Sequence, residues 1–174
     1  LLKKNIEKYI FNSFEKIKIN SKDIKRGDIY IALKGKNRHG NYYIKEANAK
    51  NAKYIITDKS FKSYKNVLIV ENTFDFLKTI AIKKRNLFDG KVIAITGSIG
   101  KTSLKSLLSS YLSKESNISS SIKSYNNFLG VLVSILNLNL KSSFGIFEVG
   151  TNNFNEIKKL ATLINPHQVI ISNI

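Results

Sequence analysis

The stretch AITGSIGKTS at residues 94–103 follows the apolar run KVIAI and combines two glycines, a lysine and hydroxyl side chains. Glycines leave backbone N–H groups free to face an anion, with no side chain in the way. A helix opening near Lys101 adds the positive end of its dipole at the same place. There Lys101 would reach the β and γ phosphates of a nucleoside triphosphate, and the Thr102 hydroxyl would ligate Mg2+. Gly97, Ser98, Ile99, Gly100, Lys101, Thr102 and Ser103 are thus the expected nucleotide-binding segment. The spacing is shorter than the general phosphate loop, which has a glycine where Ile95 stands. The structural alternative is a glycine turn before a helix that happens to start with lysine. Strand, glycine spacing, Lys-Thr pair and amphipathic helix agree on phosphate.

Glu148 ends the strand-like GIFEV, and ligands of parallel sheets gather at carboxyl ends of strands. Between Ile146-Phe147 and Val149 a carboxylate needs a partner, and magnesium is the expected one. The alternative is a glutamate that merely ends a strand. Lys101 and Glu148 are the expected catalytic residues, Thr102 and Glu148 the expected metal ligands. His39 and His167 have no second histidine or carboxylate at ligand spacing, so both are expected at the surface. Without cysteine there is no thiolate zinc site, disulfide or cysteine nucleophile.

The elements that must position these residues follow from periodicity. Ile6, Tyr9, Ile10 and Phe14 mark an opening helix over 1–13, KIKIN and IYIAL read as strands, a short helix fits 42–50, and AKYIITD and NVLIVEN give two more strands. Asn72 or Thr73 caps a helix over 74–87, with Phe74, Leu77, Ile80, Ala81 and Leu87 on one side and Gly90 as its stop. A domain boundary near 85–90 follows. Beyond it the rhythm is strand, loop, helix: VIAIT, a helix over 101–114 with a stripe of Leu104, Leu107, Leu108, Tyr111 and Leu112, a short strand at 118–122, a helix over 128–138, GIFEV, NEIKKLATLI and QVIIS. This alternation implies an α/β fold with a parallel sheet and helices on both faces.

The 174 residues carry a net charge of +17, which suits an anionic partner. The lysines are scattered, however, and the densest runs are Lys83-Lys84-Arg85 and Lys158-Lys159, so no nucleic-acid partner is expected. No apolar run of about 18 residues offers a membrane span. A charge-interrupted amino terminus unlike a signal peptide and the lack of cysteine point to a cytoplasmic setting. Methionine is absent, even at position 1, and QVIISNI stops where a loop should follow, so a fragment is expected.

ITGSIGKTS resembles the ATP loop of the Mur ligases, the amide-forming enzymes of peptidoglycan precursor synthesis. Three further stretches are similar to the same family: SKDIKRGDIYIALKGKNRHGNYYIKEANAKNAKYII, SYNNFLGVLVSILNL and FEVGTNNFNEIKKLATLINPHQVIISNI. The resemblance implies a small amino-terminal α/β domain for a uridine-nucleotide substrate at 1–87 and the first part of a P-loop ATPase domain at 88–174. It implies ATP and Mg2+ as cofactors and a monomer. The asparagine motif points to the dipeptide-adding branch, whose substrates are UDP-N-acetylmuramoyl-tripeptide and D-alanyl-D-alanine, over the sibling that adds the third residue. A P-loop kinase would leave the first 85 residues unexplained. By resemblance Ser21 and Lys22 contact the uridine nucleotide, Asn126 and Asn127 the substrate pyrophosphate, and Asn173 the ATP site; a plain turn and a helix cap are the structural alternatives for the first two pairs. The family's Asp-Gly-His appears as His39-Gly40-Asn41, two glycines as Asn51 and Asn155, and a proline as Leu132.

Overall fold

The computed structural model describes residues 2–12, 16–61, 64–122, 125–150 and 155–173. The chain divides into two compact units, 1–80 and 81–174, with the division inside a helix. No helix among the described residues is long and apolar enough to cross a membrane.

The first unit opens with α1 (Leu2–Asn12), which buries Ile6 and Ile10; Phe14, expected on the same stripe, lies outside the described residues. Four parallel strands follow in chain order, β1 (Ile17–Lys18), β2 (Ile29–Ile31), β3 (Tyr54–Thr57) and β4 (Val67–Ile69). Helix α2 (Ile44–Ala49) follows a 3-10 turn at Gly40–Tyr43 and buries Ile44 and Ala47 against Tyr30, Ala32 and Ile55. Burial pushes the Tyr30 phenol up to about 12, with Glu46 adding to the shift, so it remains a donor, here to Gly40 O at 3.0 Å.

Helix α3 (Thr73–Asn86) starts as its sequence dictates: Asn72 Oδ1 accepts from the N–H groups of Phe74 and Asp75. Its buried face keeps Leu77, Ile80 and Ala81 of the expected stripe and departs from it at the two ends. Phe76, Leu77, Ile80 and Ala81 are buried, whereas Phe74 and Leu87 are 40% and 52% exposed. At the two ends of the stripe Phe76 and Phe88 are buried in place of Phe74 and Leu87. Gly90 does not cap the helix, which ends at Asn86; a Cβ there would sit 2.5 Å from Ser142 O, so the glycine serves a close backbone approach.

The second unit is a four-stranded parallel sheet in the order β6-β7-β5-β8, formed by β5 (Lys91–Thr96), β6 (Ile118–Ser120), β7 (Phe144–Glu148) and β8 (Gln168–Ile171). Helix α4 (Lys101–Leu112) packs on β5, β6 and β7; α5 (Phe128–Leu136) and α6 (Glu156–Ile164) pack on each other and on β7 and β5. Leu104, Leu108 and Leu112 meet Ile93, Ile95 and Ile146, but Leu107 and Tyr111 are each 69% exposed and leave the expected stripe. Contact at i, i+4 and i+8 suffices for a helix lying on a sheet.

The basic run at 83–85 has a structural use. Lys84 Nζ donates to Leu136 O at 2.7 Å, at the end of α5, and Arg85 donates to Ile164 O and Asn165 O, at the end of α6. Both cations are buried and meet the negative ends of helix dipoles. Burial lowers the Arg85 pKa, yet the guanidinium keeps three carbonyl partners, Phe88 O included.

Candidate active site

Parallel pairing sets the site. Ile95 is registered with Glu148 and Ile93 with Ile146, so side-chain alternation turns Glu148 to the face of the sheet covered by α4. There it is 1% exposed. Thr102 Oγ1 donates to Glu148 Oε2 at 2.9 Å, Lys105 Nζ lies 3.4 Å from the same oxygen, and Asn126 Nδ2 donates to Oε1 at 2.9 Å. The Glu148 N–H is held by Ser121 Oγ at 3.2 Å. The glutamate is thus the centre of a buried polar cluster rather than a bare strand end.

The glycine loop joins β5 to α4 at the carboxyl end of the sheet. Gly97 has φ 136° and Gly100 φ 85°, both in the region that favours glycine. A Cβ on Gly97 would meet Ser172 Oγ at 2.4 Å and the Asn173 backbone at 2.8 Å, so the loop fits closely against the end of β8. Ser98 N donates to Asn173 O, and Ser172 Oγ to Ile99 O at 2.6 Å. Gly100 supplies no side-chain cap to α4, which leaves the first-turn amides available to an anion. Lys101 Nζ folds onto Gly97 O at 2.6 Å and Ser98 O at 3.2 Å, holding its ammonium over the loop.

A cavity of about 520 Å³ opens there, lined among others by Gly97, Ser98, Lys101, Asn126, Asn127 and Asn173. The structure therefore brings the expected loop, both asparagines and Asn173 to one place. Ser103 is exposed in the first turn of α4, and Ile99 is 76% exposed at the loop apex. Asn127 caps α5, its Oδ1 accepting from Gly130 N at 2.8 Å. Asn126 is locked twice, by Glu148 and by Gly150, whose N–H it accepts at 2.9 Å; a Cβ on Gly150 would lie 2.7 Å from Asn126 Cγ.

Thr102 Oγ1 and Glu148 Oε2 fit magnesium. Neighbouring ligands of an octahedral ion with bonds near 2.1 Å stand about 3 Å apart, and these oxygens are 2.9 Å apart. Among the described residues no group of three or more His, Cys, Asp or Glu forms an all-protein cage, and magnesium held by one or two protein oxygens, water and phosphate requires none.

Ser21 and Lys22 belong to the first unit and are described there. Ser21 is 3% exposed and donates to Glu46 Oε2 at 2.8 Å; Lys50 Nζ donates to the carbonyls of both residues at 3.0 Å. The Ser21 hydroxyl, then Lys50, hold the Glu46 carboxyl below its usual 4.5. Ser21 thus fixes the turn, and the exposed Lys22 side chain projects from it.

One of the two histidines departs from expectation. His39 is half-buried: Nδ1 accepts from Asn41 N at 3.2 Å and Nε2 lies 3.1 Å from Asp58 Oδ1. Only the fold brings that carboxylate close, from the end of β3. His167 is exposed, as expected, yet its Nδ1 accepts from Val92 N at 2.9 Å and so serves the backbone. Residues missed by sequence reasoning are Lys105, Ser121 and Ser172. A lysine one turn beyond Lys101-Thr102 was the only local signal among them.

Residues 95–174 match the Mur ligase middle domain. The UDP-N-acetylmuramoyl-tripeptide:D-alanyl-D-alanine ligase of Rickettsia prowazekii is 38% identical over 160 residues, which are 91% of this chain and 35% of that one. The MurF crystal structure from Acinetobacter baumannii is similar at TM-score 0.76 and 29% identity, over 90% of this chain and 35% of its own. MurF ligase from Thermotoga maritima, solved in complex with ADP, gives TM-score 0.72 and 28% identity over 92% of this chain and 38% of its own. The chain spans about a third of the length of these relatives. With the loop, the buried glutamate and the parallel sheet in agreement, residues 95–174 carry a Mur ligase middle domain, and most of the chain is similar to Mur ligases.

Proposed function

We propose that this chain supplies the ATP-binding site of a cytoplasmic, monomeric ligase that adds D-alanyl-D-alanine to UDP-N-acetylmuramoyl-tripeptide in peptidoglycan precursor synthesis. The observation that carries this is the convergence of the glycine loop, the uncapped start of α4 and the Thr102–Glu148–Asn126 cluster on one sheet end. We assign residues 1–87 to the uridine-nucleotide substrate and 88–174 to ATP.

In this reading the peptide carboxylate attacks the γ-phosphorus of ATP, giving an acyl phosphate and ADP. The dipeptide amine then attacks the acyl carbon, the C–N bond forms, and phosphate leaves. Two anions must be brought together in the first step, which requires charge neutralisation and alignment. Magnesium, when bound, supplies part of that neutralisation. Loop amides and the Lys101 ammonium hold the β and γ phosphates, while Thr102 and Glu148 present the metal-binding edge. Asn126 and Asn127 line the same cavity where the substrate pyrophosphate approaches, and Asn173 borders the nucleotide; Ser21 and Lys22 form the uridine-nucleotide turn.

The test is ADP release by the full-length protein with UDP-N-acetylmuramoyl-tripeptide, offered D-alanyl-D-alanine or single amino acids. Dipeptide-dependent ADP is expected, and Glu148→Ala should lower it by about 100- to 1000-fold. Release that ignores both substrates would sink the assignment.

A further inference from the structure

Lys105 is 5% exposed, one helical turn beyond Thr102 on α4, so the two side chains reach Glu148 Oε2 from the same helix. Its ammonium also donates to Ser121 O at 3.2 Å, and Ser121 Oγ accepts the Glu148 N–H. Lysine and glutamate are thus both referenced to one serine at the end of β6. We propose that Lys105 is a positioning residue, whose buried charge keeps the Glu148 carboxylate paired and turned toward Thr102, so that the metal-binding edge is set before nucleotide arrives. The inference rests on the reading of Thr102 and Glu148 as a metal-binding pair.

The distances explain why a lysine suits the place. Strong charge-assisted hydrogen bonds are about 2.7–2.9 Å long, whereas Lys105 Nζ stands 3.4 Å from Oε2. The ammonium supplies charge and leaves Oε2 with acceptor capacity, which Thr102 already uses in part. A guanidinium would present a planar fork able to take both carboxylate oxygens. Oε1 is committed to Asn126, so the carboxylate cannot rotate without losing that bond as well. A carboxylate buried among Ile146, Phe147 and Val149 and stripped of its cation is strongly disfavoured.

Thermal unfolding and turnover of the full-length protein test this together. Lys105→Met should lower the unfolding midpoint, and either Glu148→Gln in the same chain or millimolar magnesium should recover most of the loss. If Lys105→Met alone fails to fold, recovery of a folded Lys105→Met/Glu148→Gln double variant supports the charge pair. A loss untouched by both remedies would show that Lys105 only fills space, and would overturn the proposal. In the ligase assay Lys105→Met should lower kcat by about 10- to 100-fold, the range for partners that orient metal ligands, with the KM for the dipeptide unchanged. Wild-type turnover with an unchanged kcat in the variant overturns the role of Lys105 alone. Absence of substrate-dependent ADP from the wild type overturns the ligase reading itself, while the unfolding result still decides the charge pair.

Discussion

The two expected binding turns solve opposite problems. In the second unit, the loop at 97–102 commits the Ser98 N–H to Asn173 O but leaves the start of α4 uncapped: two glycines have positive φ, and no side chain caps the helix. In the first unit, the turn at Ser21–Asp23 closes on itself, with Asn20 accepting from Lys22 N, Ser21 bonded to Glu46 and Lys50 bridging two carbonyls. Open amides make an anion site out of backbone alone, whereas a closed turn can only offer what projects from it. The first can be recognised from glycine spacing. The second needs a glutamate of α2 and the lysine that follows that helix, more than twenty residues away, and spacing says nothing of them.

The comparison breaks most sharply at Gly97. Alanine there would take φ 136° and place its Cβ 2.4 Å from Ser172 Oγ and 2.8 Å from the Asn173 backbone. Backbone strain of this kind costs about 1–3 kcal/mol, and displacing β8 adds to it. Gly97→Ala should therefore abolish nucleotide binding measured by calorimetry, with a lower unfolding midpoint. Ordinary ATP affinity in this variant would show that the amides of the loop are not the cradle.

Acid sharpens the other side. The folded state holds the Glu46 carboxyl below its usual 4.5, first through Ser21 and then through Lys50. A depressed carboxyl contributes stability above its unfolded pKa, and that contribution disappears as pH falls through the folded value. Wild type should be more stable than Glu46→Gln near neutrality, by a small margin because the group is solvent-screened, and the margin should shrink in acid as pH falls through the lowered carboxyl value. Urea midpoints near neutrality and in acid measure it. An equal margin at both would mean that the carboxylate charge does not hold the turn.

Legibility followed the range of the forces. Glu148 and the glycine loop were visible because strand alternation and local dipoles are written in consecutive residues. The α4 stripe was only half right, since a sheet presses on Leu104, Leu108 and Leu112 and leaves Leu107 and Tyr111 outside. His39 was expected at the surface because its partner Asp58 stands beyond α2, just after β3, and no ligand spacing links the two. Lys84 and Arg85 stand out in the sequence only as part of a short basic run, and the packed helix ends show why they are buried.

The smallest expected effect bears on the departures from the family pattern. Asn51 has φ 59° and Asn155 φ 65°, and both stand where the resemblance leads one to expect glycine. Asparagine is the side chain that enters the left-handed region most readily, so these replacements preserve the backbone. His39 behaves alike: in place of an aspartate, it still caps the Gly40–Tyr43 turn through Nδ1. If backbone conformation is what these positions require, Asn51→Ala should lower stability by about 1–2 kcal/mol, while Asn51→Gly stays within about 0.5 kcal/mol of wild type. Asn51 also accepts the Gly27 N–H through its own carbonyl, a contact that both variants retain. Chemical denaturation of the two variants separates the explanations: equal losses would mean that the asparagine side chain, rather than its tolerance of positive φ, is what the turn needs.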